Sequence, residues 1–461
     1  MRRNEKGRIF VTKQGLAAFL AAGMILSMAG CTPAPGSEAP ADIEAVTQQI
    51  LDDMSDEEKN WMGGLTREER LEDFDALCRG LEANYPYLEL ARRQTGADLD
   101  ELAPVYREQA AACTNDDAFD RVLGDFIGEF GYTGHLELWG RRYRSQLEET
   151  KQLVETYPEH ADHLAPYIAA LDNPVSQRTY AGMEAFYAGL QQQAEQQLPA
   201  GAQSEEEQLP EEETANLHPE ILEEGRIAYL GIDVFDLSRY EEDAAVALPF
   251  YEQVKDYDHL IIDISQNPGG SMSYFNDLVV APLARETLTV PTYQLFKDGE
   301  NNREFLQIEK GLAEGSYRPI EELPVLPNLN VEDAAQLNCF FQEDYTVVPT
   351  GDGFSGKIWL LVSENNYSSS EYAAMFSKQT GFATLVGNTT SGDGIGTDPA
   401  YLILPNSGLV VQYSPMYGVT SDGTGSEEFG TRPDILSPEG ETPLETCLRA
   451  IAGDAPEETA Q

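Results

Sequence analysis

Residues 357–376 read KIWLLVSENNYSSSEYAAMF. An apolar run with almost no polar break ends at Ser363, a polar turn follows, and a helix is expected to begin near Ser368. Two further runs share this texture, IAYLGIDVF at 227–235 and HLIIDIS at 259–265, with shorter ones in ATLVG, YLILP and LVVQYSP. Continuous apolar runs alternating with helices indicate strands buried on both faces, which makes the fold class α/β.

Outward from this core the texture changes. Residues 63–198 form a mainly helical N-terminal domain: Leu71, Phe74, Leu77 and Leu81 recur at helical spacing, and Pro86 stops that helix. Residues 199–225 carry two glutamate triplets without apolar periodicity and read as an acidic linker or loop. The α/β core then spans 226–452, interrupted by an insertion near 297–352 that is rich in turn residues, and 453–461 form a disordered tail.

The first thirty residues read as an address. MRRNEKGR is basic, LAAFLAAGMIL is a short apolar run, and SMAGC brings small residues up to Cys31. This is the pattern of a bacterial lipoprotein signal, 1–30, with Cys31 as the lipidated residue and 31–62 as a flexible tether. The expected location is extracytoplasmic, attached to the cell membrane through that lipid. The formal charge of −50 repels nucleic acid, so no nucleic-acid partner is expected. The cysteines show no CxxC; Cys78 and Cys113 lie in one helical region, as free thiols or as one disulfide.

Three features bear on chemistry. Ser368 stands at a helix N-terminus, where unpaired N–H groups favour negative charge, although capping is the commonest task of a serine there. NPGG at 267–270 follows a buried strand, and such glycines let the backbone approach a ligand closely. Of the five histidines, His160 and His163 at i, i+3 lack a clustered third ligand, so no metal is expected; His218 and His259 have no catalytic setting. His135 sits in a Gly/Thr-rich turn, GYTGHLEL, that would present its side chain.

The order FIGEFGYTGHLEL, DISQNPGG, NNYSSSEYAAMF, VGNTTSGDG and EEFGTRPDI resembles the tail-specific (C-terminal-processing) serine peptidases over roughly residues 70–145 and 226–437. The resemblance implies a crotonase-like (ClpP/crotonase-type) ββα core and makes Ser368 the nucleophile, three residues before Glu371. The lysine base of the processing branch is replaced by Asp393, so the chain is closer to the tricorn-core and retinoid-binding-protein-like branch. That branch implies His135 as base and Glu427 as its support. Gly134 stands where tricorn-like enzymes have a serine, Ser369 where tricorn has an acid, and Ser265 where the family usually has arginine. The oxyanion hole implied is the N–H of Ser369 with that of Gly269 or Gly270. No PDZ module is expected in 146–225.

The resulting expectation is a membrane-anchored extracytoplasmic serine endopeptidase that acts on polypeptides without a cofactor or metal. Asp393 is not expected to be the base, so Asp393→Asn is expected to keep most activity. The rival expectation is a non-catalytic lipoprotein on the same fold that binds peptides or apolar ligands.

Overall fold

The computed structural model describes residues 43–156, 167–168, 170–197, 215–312 and 315–453. The signal, Cys31, His160, His163, the glutamate triplets and the tail from 454 lie outside the described residues. No helix among those described is long and apolar enough to cross a membrane.

A six-stranded sheet forms the centre, in the spatial order Ile435–Leu436, Thr384–Gly387, Lys357–Val362, His259–Asp263, Ile227–Ile232, Leu217–Glu223. All neighbours are parallel except the last pair. Lys357–Val362 lies in the middle, and every residue after its lysine is buried, as its unbroken apolar run requires. Helices Tyr240–Val254 and Ser369–Thr380 supply side chains to one core, including Phe250, Val254, Tyr372 and Phe376.

Two segments differ from the sequence reading. Leu217–Glu223, placed in the acidic linker, pairs antiparallel with Ile227–Ile232 as the sheet's edge. Its burial is low after Leu217, which is why glutamates are tolerated there and why the apolar signal is missing. The 297–352 stretch is also more than an insertion. Cys339–Val347 pairs along its whole length with Leu288–Phe296 in a second, four-stranded sheet. Beyond its two first residues this strand is mostly half-exposed, so a polar sequence, QEDYT, satisfies it.

The N-terminal helices do not pack only on themselves. Phe74, Leu77, Leu81 and Phe126 share one apolar cluster with Val410, Val411 and Tyr413. Strand Val410–Tyr413 pairs with Ala400–Ile403 and with Glu137–Leu138, just after His135. Packing thus crosses the division expected at 199–225 and carries His135 into the α/β core. The described cysteines are free thiols, Cys78 and Cys113 among them.

Candidate active site

Three loops converge on one cleft of about 490 Å³ whose wall includes Ser368, Ser369, His135 and Asp393. Ser368 caps the N-terminus of Ser369–Thr380, but its side chain makes no capping bond. It is held with φ 58° and ψ −125°, outside the regions an L-residue ordinarily adopts. Among the described residues the non-glycines with positive φ are His135, Ser368 and Asp393. Backbone strain of this kind persists only where the surroundings enforce it, and all three instances fall in this cleft.

His135 follows Gly134 in a tight turn between helix Asp116–Glu129 and strand Glu137–Leu138. Its ring is 4.7 Å from that of Tyr367 and 5.7 Å from that of Tyr132, centroid to centroid. The imidazole Nδ1 lies 2.6 Å from Asp393 Oδ2 and 3.0 Å from Ser414 Oγ. Ser414 Oγ–H donates to the same carboxylate oxygen at 2.6 Å. Tyr87 O–H is 3.1 Å from Asp393 Oδ1, so both carboxylate oxygens are engaged. An Nδ1–H that donates to Asp393 leaves the lone pair on Nε2, the tautomer a general base needs.

The position of Asp393 corrects the sequence reading. Glu427 was expected to support His135, yet its carboxylate reaches the turn rather than the ring. Glu427 Oε1 accepts from Gly134 N–H at 2.9 Å, and Oε2 accepts from Tyr367 O–H at 3.1 Å. Tyr367 Oη in turn accepts the His135 backbone N–H at 3.3 Å. Burial, and secondarily the Asp393 charge, push the Glu427 carboxyl well above the usual range. Glu427 fixes the backbone on which the histidine stands; Asp393 holds the imidazole. The signal for Asp393 was present in GDG at 392–394, an acid between two glycines at the family's base position.

Gly134 also finds its reason. A Cβ there would stand 2.4 Å from the Tyr87 ring, so a serine fits only if Tyr87 gives way. The hydroxyl beside the histidine comes instead from Ser414, whose N–H is tied to Gly134 O at 2.6 Å.

The NPGG turn abuts Ser368. A Cβ at Gly269 would lie 2.8 Å from Tyr367 O and 3.3 Å from Ser369 N, a gap that only glycine leaves open. Of the two oxyanion candidates in this turn, Gly269 is already used: its N–H donates to Asn267 Oδ1 at 2.8 Å. The carbonyl of the Gly269–Gly270 peptide accepts Phe235 N–H at 2.9 Å, which directs the Gly270 N–H the opposite way. Ser369 Oγ–H donates to Gly270 O at 2.6 Å and fastens the turn to the helix.

Glu371 ties the loops together. Buried behind Ser368, it accepts the Thr390 hydroxyl, and the Thr431 hydroxyl at 2.7 Å. Burial raises its carboxyl from 4.5 to about 7. His218 and His259 lie elsewhere, on Asp233 (2.8 Å) and Trp359 Nε1–H (3.3 Å).

Residues 226–437 match peptidase family S41. No curated protein matches the chain. Among solved structures the chain is similar to a putative peptidase from Parabacteroides merdae ATCC 43184, at 17% identity, over 83% of this chain and 96% of that one, with a TM-score of 0.49. It is similar also to mature CPAF complexed with lactacystin, at 14% identity over 80% and 94% of the two chains, TM-score 0.47. A third is a lipoprotein from Streptococcus agalactiae, at 12% identity over 83% and 96%, TM-score 0.43. The match to this family spans the α/β core, residues 226–437, and makes the chain a serine peptidase.

Proposed function

We propose that the protein is an endopeptidase with Ser368 as nucleophile, His135 as general base and Asp393 as the carboxylate that orients His135. The observation that carries this reading is the 2.6 Å contact between His135 Nδ1 and Asp393 Oδ2 in the cleft that Ser368 also lines. His135 Nε2 takes the Ser368 hydroxyl proton as Oγ bonds to the scissile carbonyl carbon. The N–H groups of Ser369 and Gly270 receive the developing oxyanion, with Gly269 removed from the expected pair because Asn267 occupies it. The imidazolium gives its proton to the leaving amine, and water then hydrolyses the acyl-enzyme with His135 again as base. Glu427, Tyr367, Tyr87 and Ser414 are positioning residues.

The same reading keeps a crotonase-like core after a helical N-terminal region. It also places the enzyme outside the cytoplasm, held to the membrane by a lipid on Cys31. Small residues before Cys31 and the Pro/Ala/Ser-rich spacer after it support that placement. The test is cleavage of an unfolded protein and a mixed peptide library by the soluble chain from residue 32. Ser368→Ala and His135→Ala should each abolish cleavage while the thermal melt stays normal. Full activity in either folded variant would sink the assignment.

A further inference from the structure

The cleft wall that holds Ser368 and His135 also carries Glu309, Lys310, Glu343 and Asp398. Lys310 is committed to Glu343, with Nζ 3.0 and 3.2 Å from its two carboxylate oxygens. Glu309 accepts the Tyr167 hydroxyl and, at 3.0 Å, that of Thr397. Asp398 differs from both. It is only 7% exposed, and its Oδ2 has no hydrogen-bonding partner among the described residues. Burial, and next the Glu309 charge, push this carboxyl well above its ordinary range. A buried carboxylate oxygen left unpaired is costly, and a cation arriving from outside removes that cost.

We propose that Asp398, with the Glu309 charge beside it, receives a guanidinium carried by the substrate, so that the enzyme selects polypeptides with arginine close to the scissile bond. This rests on the peptidase reading, because the nucleophile and Asp398 share one cleft. The planar guanidinium suits the role better than an ammonium: its fork of donors meets a carboxylate with two parallel bonds. The chain's net charge of −50 works in the same direction by drawing cationic segments toward the protein. Segment 396–399, which bears Asp398, is held to the second sheet through Tyr345, whose hydroxyl lies 3.3 Å from Gly396 N. The receptor is therefore built on a fixed wall of the cleft.

The experiment uses two labelled peptides that differ only in arginine against citrulline, which keeps the shape and loses the charge. Binding is measured first, on the Ser368→Ala chain from residue 32, where cleavage cannot interfere. The arginine peptide should bind at least about tenfold tighter, and Asp398→Asn in the same background should bring the ratio close to one. Cleavage of the same pair by the parent chain should show the same ratio in kcat/KM. Equal binding of the two peptides overturns the proposal, whether or not Asp398→Asn folds. An undiminished arginine preference in a folded Asp398→Asn protein overturns the role of that residue. Discrimination in binding with no cleavage by the parent would keep the cation receptor and remove the peptidase reading; cleavage without discrimination would do the reverse.

Discussion

Two carboxylates, the buried Asp393 and the half-buried Glu427, flank the turn that carries His135, and they do different work. Asp393 meets the imidazole at 2.6 Å, whereas Glu427 meets the backbone one residue earlier, at Gly134 N–H, 2.9 Å away. The first sets which ring nitrogen carries the proton; the second sets where the ring stands. Their charges also oppose each other: Asp393 adds to the burial that pushes the Glu427 carboxyl up. A motif that supplies an acid near a histidine does not say which of these tasks the acid performs; only the contact atoms do.

The comparison is broken most directly by exchanging each acid for its amide. Asp393→Asn can offer the ring an N–H in place of an acceptor and stabilise the tautomer with its proton on Nε2. The expected loss in kcat is about 10³–10⁴-fold, as for the buried aspartate of other serine triads. This reverses the sequence-based expectation that Asp393→Asn is nearly silent. Glu427→Gln keeps one acceptor for Gly134 N–H and loses the Tyr367 bond, so a decrease of about tenfold is expected, seen as a shift of the ring rather than its protonation. Steady-state kinetics on a peptide found in the library screen decides it. A larger loss in Glu427→Gln than in Asp393→Asn would exchange the two roles.

A smaller effect sharpens the same comparison from the histidine's side. Gly134→Ser would restore the serine of tricorn-like enzymes, but its Cβ would meet the Tyr87 ring at 2.4 Å on a backbone with φ 55°. Tyr87 is also a partner of Asp393, so the clash would press on the Asp393 side of the site. The expected cost is about 1–3 kcal/mol in urea unfolding, with reduced cleavage. A gain in activity at unchanged stability would show that Ser414 does not already supply the hydroxyl that the ring uses.

Much of the core was legible because local signals suffice there. Lys357–Val362 is buried on both faces and advertises this in every residue after the lysine. Ser368 was legible from the strand, turn and helix around it, and His135 from its Gly/Thr-rich turn, although the fold buries the side chain that this turn was expected to present. What was not legible is what depends on distant contacts. His135 and Asp393 are 258 residues apart, and nothing local to GDG reports that it folds onto the histidine. The strand Cys339–Val347 is illegible in the sequence for a different reason. Half of it faces outward, and Glu343 and Asp344 on it weaken the apolar alternation by which a strand is recognised.

The last expected effect appears only as pH changes, and it concerns the residue that joins the two acidic loops. Glu371 accepts from Thr390, three residues before Asp393, and from Thr431, four residues after Glu427. Its carboxyl, fully enclosed, titrates near about 7 instead of 4.5. Between those values the unfolded chain has released this proton while the native protein still holds it. The native state therefore binds more protons, and the contribution of Glu371 to stability falls as pH rises through that window. Glu371→Gln has no proton to release, so its stability should decline less between about pH 5 and about pH 8, by up to about 3 kcal/mol against the parent. Urea titrations of both proteins at the two pH values measure the difference. Parallel profiles would mean that Glu371 is charged throughout, and that the Asp393 and Glu427 loops are clamped by an ionised carboxylate rather than by a group that can become neutral.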